Sequence, residues 1–235
     1  VLECLTVIDF ETTGLAPDTH FVTEIAAARI RNGEVTSTFS TLVDFGGTVS
    51  AEITEHTGIT TEMCQRGKEP RHSFALLRNF IGTDTIIAHN AGFDVAFLRR
   101  SYERYGSKYP LENPFLCTVL LAQQVLGEIP SYGTAKSGKP LGPHQLENLR
   151  LHYNIETGKA HRALADVEAT AKLVQLLFEQ AETNCEGWLG PDGAEEVIRR
   201  QFINRYPAPY VPGRRASYAP WLPAYAQQFE KEVQL

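Results

Sequence analysis

VIDFETTG, Val7 to Gly14, sets two acids into what otherwise reads as a buried strand. The apolar run Leu5–Ile8 predicts that strand, and Asp9 and Glu11 follow before Gly14 stops it. Side chains alternate along a strand, so positions i and i+2 share a face. Asp9 and Glu11 therefore point the same way, with Ile8 and Phe10 on the other side. Two neighbouring carboxylates raise each other's pKa and cost energy unless positive charge lies between them. The stretch alone leaves two readings open: a solvated sheet edge, or half of a charged site.

The segments that follow build a sheet around that strand. Phe21–Ile30 and Glu34–Val43 are β-prone runs joined by Asn32-Gly33. Asn-Gly between such runs predicts a hairpin, because both turn residues tolerate positive φ. Three antiparallel strands thus come first. Ile53–Cys64 predicts a short helix, a glycine turn and a second helical start. Phe74, Leu77, Phe80 and Ile81 recur at helical spacing from about Arg71, with Gly82 as the stop. Thr85–Ala88 is a short buried strand running into HNAGFD, after which Asp94 is expected to open a helix through Tyr105.

Further strand and helix pairs follow. Phe115–Cys117 predicts a strand leading into a helix to Leu126, and Ile129–Pro143 a mobile surface loop. Leu146, Leu149 and Tyr153 mark one helix, and a longer one runs from about Arg162 to Glu182. A hairpin followed by alternating strands and helices is an α/β sandwich on a mixed sheet.

Composition changes after Asn184. Gln201–Leu235 holds five of the 13 prolines and four of the nine tyrosines, which is too aromatic for a plain disordered linker. The expected division is an α/β domain over residues 1–183 and an irregular Pro- and aromatic-rich extension over 184–235. The extension reads as a strap packed across the domain, or as a docking segment for a partner.

The 235 residues can bury a substantial core. No apolar run approaches a membrane span, and no basic segment precedes an apolar signal core. Cys4, Cys64, Cys117 and Cys185 form no CxxC pair, which argues against zinc and disulfide frameworks and suits a reducing cytoplasm. A net charge of −6 argues against a protein that coats duplex DNA without regard to sequence. It does not argue against a metal-dependent nuclease, whose ions invert the local sign of the site.

Three segments offer acids where elements begin or end: Asp9 and Glu11, then Asp94, then Asp166 in HRALAD. A lone Asp near a helix start is commonly a cap or a dipole partner. Together, however, four acids supply about the charge that two hard divalent cations require. His161 lies five residues before Asp166, about 140° away on a continuous helix, so it is expected in the loop before that helix. Its ordinary pKa near neutrality suits a general base. No Walker-type loop or GxSxG elbow is present.

VIDFETTGL (Val7–Leu15), HNAGFDVAFL (His89–Leu98) and HRALADVEAT (His161–Thr170), in that order, resemble the three motifs of the DEDDh 3′–5′ exonuclease family. This DnaQ-like family includes the epsilon-type proofreading subunits of DNA polymerase III. The similarity extends over roughly Leu5–Glu179 and includes ITEHTGIT, Ile53–Thr60. It implies a ribonuclease-H-like fold and hydrolysis from the 3′ end of single-stranded or frayed DNA. It further implies two divalent cations, Mg²⁺ or Mn²⁺, held by Asp9, Glu11, Asp94 and Asp166, with His161 as general base. Thr12, His56, Asn90 and Phe93 would line the pocket for the terminal nucleotide. The products would be nucleoside 5′-monophosphates.

The motifs do not separate DNA from RNA substrates; FETTG leans toward the proofreading type, with a DNA polymerase or another replication or repair protein as partner. The same family includes exoribonucleases and oligonucleotide-degrading enzymes. A non-catalytic binding module would be expected to lack an acid or the His, and all five are present. Arg99-Arg100, Arg199-Arg200 and Arg214-Arg215, with Lys136 and Lys139, are candidate phosphate contacts, although surface solvation explains any single one.

Overall fold

The first strand, β1 (Leu5–Thr12), extends four residues past its apolar run, so both acids are inside it. The computed structural model describes residues 4–106, 112–135, 137–156, 158, 162–184 and 203–204. β2 (Val22–Arg31) pairs antiparallel with β1, setting Asp9 opposite Ala26 and Glu11 opposite Glu24. β3 (Glu34–Leu42) returns antiparallel along β2. Asn32 at φ 51° and Gly33 at φ 79° make the predicted tight turn.

The chain then crosses over through α1 (Ala51–Thr57), α2 (Thr61–Gln65) and α3 (Pro70–Ile81). Pro70 suits the first helical position, where its missing N–H costs nothing, and Gly82 closes α3 at φ 58°. β4 (Thr85–Ala88) adds parallel to β1, and β5 (Phe115–Cys117) adds parallel to β4. α4 (Ala91–Arg104) lies between them, and α5 (Thr118–Leu126), α6 (Leu146–His152) and α7 (Ala163–Asn184) follow. Among the described residues the sheet order is β3-β2-β1-β4-β5-β6, where β6 is Ile203–Asn204, antiparallel to β5. The mixed sheet flanked by helices matches the expected fold class.

Two cores flank the sheet. Val7, Ala26, Ala28 and Leu116 pack beneath α5, α6 and α7 on one side. Ile8, Ile25, Ala27 and Ile86 pack against α3 and α4 on the other. Ala26, Ala27 and Ala28 are wholly buried, and their small size lets helices approach β2 closely from both faces.

Two local expectations change. Asp94 does not open its helix: α4 begins at Ala91, with Asn90 in the left-handed conformation at φ 73° as its cap. Asn tolerates that conformation, so the strand turns into the helix three residues earlier. The loop expected to be mobile folds back on itself, with Ala135 N–H on Lys139 O at 2.8 Å. Buried Asn148 holds it, donating to Pro130 O and Pro143 O and accepting from Tyr132 N–H.

Opposite the acid-bearing strand end, Arg31 grips Asp84 with two 2.8 Å bonds, and Thr6 donates to the same carboxylate at 2.6 Å. Asp84→Ala is expected to cost about 2–3 kcal/mol in chemical denaturation, because charge-assisted bonds to a buried group are lost. A loss below 0.5 kcal/mol would show that water replaces that network. Among the described residues no helix is long and apolar enough to cross a membrane.

Candidate active site

Leu5, Val7, Asp9 and Glu11 form one face of β1, the first two in the core beneath α7 and the acids continuing past it. α7 lies across β1 and β2 and carries Asp166 in its first turn. One carboxylate oxygen from each of Asp9, Glu11 and Asp166 lies within 4.8 Å of the others. Residues 157 apart in sequence thus meet only through packing of the helix on the sheet.

Asp94 approaches from the α4 side. The parallel pairing of β1 with β4 stops at Val7 and Ile87, so among the described residues the β1 backbone beyond faces no strand on that side. Asp94 fills that place: its carboxylate accepts the backbone N–H of Phe10. It is not among the three acids within mutual reach of one another, but its charge acts on Asp9.

The electrostatics are those of an acid cluster short of positive charge. Burial pushes Asp9 well above the usual carboxylate range, and the charges of Asp94, Asp166, Glu11 and Glu24 push it further. Glu11 is raised to about 7, first by burial, then by Asp166 and Glu24, with Arg162 opposing. Asp94 is likewise raised well above its ordinary value, mainly by burial. Arg150 Nη1 stands 3.9 Å from Asp166 Oδ1 and supplies some compensation.

These residues fit a hard divalent cation. The donors are all carboxylate oxygens, and among the described residues the buried Oδ1 of Asp94 has no hydrogen-bond partner. A buried acceptor left unpaired is costly unless something cationic meets it. Oxygen-only acidic sites of this kind suit Mg²⁺ or Mn²⁺ rather than a soft metal.

The loop that leaves β1 is tied down. Thr12 Oγ1 donates to Gly14 O at 2.7 Å, and Arg104 of α4 donates to the carbonyls of Pro17, Asp18 and His20. The same guanidinium lies 4.3 Å over the Phe21 ring. A Cβ on Gly14 would come 2.3 Å from the His20 ring, so this position needs glycine for close approach.

Of the expected nucleotide-pocket residues, Thr12 sits buried next to Glu11, and Asn90 and Phe93 sit at the start of α4 near Asp94. His56 is exposed in the last turn of α1, on a separate element. His161, the expected base, lies outside the described residues, as do Lys136, Arg199-Arg200 and Arg214-Arg215. Arg100 is engaged by Asp18 and Glu103, each at 3.1 Å, so the surface reading holds for it.

His89 is a structural histidine. Its Nε2 donates to His144 O at 3.1 Å, which leaves Nδ1 to accept from the Thr118 hydroxyl at 2.9 Å. Burial lowers it to about 4, so it is neutral at physiological pH and joins the β4 end to the loop before α6.

Glu24, Arg162 and Arg150 were not expected at the site. Glu24 had a signal: it is the one charge in the apolar run Phe21–Ala28 of the second strand, and a buried charge requires a partner. A cleft of about 490 Å³ beside α6 is lined in part by Arg150, Leu141 and Asn154, which puts Arg150 between that cleft and Asp166.

Comparison with known proteins gives the family and the fold. Residues 6–174 match the exonuclease family model RNase_T. The chain is 32% identical over 179 residues to the PolC-type DNA polymerase III of Bacillus subtilis, covering 76% of this chain and 12% of that protein. It is 34% identical over 179 residues to the corresponding Listeria monocytogenes protein, covering 75% and 11%. The chain therefore spans only about a tenth of these relatives' length. Among solved structures it resembles exonuclease X in complex with 5′ overhanging duplex DNA, with TM-score 0.58 and 22% identity over 81% of this chain and 98% of that one. It also resembles E. coli exonuclease I in complex with a dT13 oligonucleotide, with TM-score 0.62 and 21% identity over 77% and 42%. The likeness to these structures shows the fold, and the family match with the polymerase relatives shows the lineage: the chain belongs to the RNase_T exonuclease family, among its DEDDh-type, DnaQ-like members.

Proposed function

We propose that the chain hydrolyses phosphodiester bonds from the 3′ end of single-stranded or frayed DNA, releasing nucleoside 5′-monophosphates. The observation that carries this reading is the meeting of Asp9, Glu11 and Asp166 oxygens within 4.8 Å of one another, beside an Asp94 oxygen that has no partner among the described residues. These four acids would hold two divalent cations, Mg²⁺ or Mn²⁺. Such ions supply charge compensation for the acids and Lewis-acid stabilisation of the scissile phosphate and the leaving oxygen.

The chain's own groups do the rest. His161 would take the proton from the attacking water, which suits its ordinary pKa. Thr12, Asn90, Phe93 and His56 would seat the terminal nucleotide. Relatives named as PolC-type polymerases support a setting beside a DNA polymerase in replication or repair, where the activity would be cytoplasmic. Residues 184–235 would act as an extension to the 1–183 domain, a strap or docking segment, a reading supported by Ile203–Asn204 joining the sheet at β5.

A 5′-labelled oligonucleotide incubated with Mg²⁺ or Mn²⁺ is expected to shorten stepwise from its 3′ end, and EDTA to stop it. Matched DNA and RNA strands, run in parallel, should show the faster rate on DNA. Digestion starting at the 5′ end, or none on either strand, would sink the proposal; faster cleavage of RNA would move the substrate and keep the chemistry. His161→Ala is expected to slow turnover about 10²–10⁴-fold near neutral pH. Full turnover by that variant would remove the histidine from the base role.

A further inference from the structure

Glu24 is a buried carboxylate on β2, directly opposite Glu11 and on the same sheet face. Like charges facing each other across an antiparallel pair destabilise a sheet. Glu24 therefore adds to the repulsion at the acids, raising both Asp9 and Glu11. A residue with only a packing role would be better apolar, as Ala26, Ala28 and Ile30 are along the same face.

What Glu24 does instead is hold the beginning of α7. Its Oε1 accepts Arg162 Nη2 at 2.7 Å and its Oε2 accepts Arg162 Nε at 3.1 Å. The same Oε2 accepts the backbone N–H of Ala163 at 3.1 Å, one of the helix-start donors that the helix itself cannot satisfy. The Asp166 N–H in turn bonds to Arg162 O at 3.2 Å, forming the first turn that aims Asp166 at β1. One carboxylate thus fixes both the side chain and the backbone from which the Asp166 turn starts.

We propose that Glu24 is a positioning residue: its bidentate grip on Arg162, with its bond to the Ala163 N–H, seats the first turn of α7 so that Asp166 completes the metal-binding acids with Asp9 and Glu11. The inference rests on the metal reading above. Its geometry requires the full length and both oxygens of glutamate and the planar fork of arginine, not merely their charges.

Charge-conserving variants test it. Glu24→Asp keeps the field but is one methylene too short to reach both partners, and Arg162→Lys keeps the charge but loses the fork. Mn²⁺ binding to each variant, read by electron paramagnetic resonance or calorimetry well below the melting temperature, is expected to weaken about 10–100-fold relative to the parent. The metal-free melting temperature is measured beside it. Binding within twofold of the parent in both variants, with only the melting temperature lowered, would reduce Glu24 to a structural role and overturn the proposal. Should Glu24→Asp fail to fold, Arg162→Lys decides alone, since its side chain is 39% exposed and its loss leaves no large cavity. Failure of the parent protein itself to bind Mn²⁺ would overturn the metal reading instead, so the two failures are distinct.

Discussion

Asp9→Asn and Asp166→Asn are each expected to lower the rate of nucleotide release about a thousandfold or more while leaving the fold intact. Each removes a negative charge from a cluster whose members' oxygens lie within 4.8 Å of one another. Stabilisation of charge on a transferring phosphoryl group is the main contribution such a site makes, so the loss falls on turnover rather than on substrate binding. Asp9→Asn should also raise the metal-free melting temperature, because Asp9 stands where the charges of Asp94, Asp166, Glu11 and Glu24 converge. Release from single-stranded DNA at saturating Mn²⁺, with melting followed by circular dichroism, checks both halves. Activity within tenfold of the parent would remove that carboxylate from the site.

The second large effect is on stability. A divalent cation at about 100 times its dissociation constant adds about 2.7 kcal/mol. For a domain of this size that corresponds to a rise of about 5–10 °C in melting temperature. The rise should depend on pH. Glu11 has its folded pKa raised from 4.5 to about 7, so the metal-free folded state binds a proton that the unfolded chain has already lost. Metal-free stability is therefore full below about pH 4.5 and falls as pH rises through about 7, by up to about 3 kcal/mol from this group. Metal binding requires the same group ionised and so releases protons. The metal-induced rise should be small at pH 5, grow to about pH 7.5, and be smaller in Asp9→Asn. A shift independent of pH would place the ion away from Glu11.

His89 opposes this trend. Its pKa is lowered to about 4 in the folded state, so the unfolded chain binds the extra proton between about 4 and 6.5. Its contribution is full above about 6.5 and declines as pH falls toward 4. His89→Gln should flatten the acid limb of the stability curve and leave the metal-dependent limb unchanged.

The elements that the sequence announced were those with a local cause. Alternation along VIDFET put Asp9 and Glu11 on one face, Asn32-Gly33 set the hairpin, and Gly82 closed its helix, each through backbone preferences acting over a few residues. The three acidic segments were legible for the same reason, since each is a short string at the end of a regular element. The start of α4 is not legible locally, because it depends on Asn90 taking the left-handed conformation, which Asn tolerates but does not always adopt. The loop before α6 reads locally only as a surface loop, because the side chain that anchors it, Asn148, lies outside it.

By itself, then, the sequence determined the sheet order of the first hairpin, the helices, and which acids were available for chemistry. The tertiary structure alone decided how those acids meet: that three of them share a space under 5 Å while Asp94 enters from the far side of β1. It alone decided that Glu24 grips Arg162 across 138 residues of chain. The physical reason is range. Backbone conformation is set by neighbours in sequence, whereas a carboxylate's charge and hydrogen bonds act on whatever lies within a few ångströms, and only the packing of α7 against β1 and β2 determines what that is.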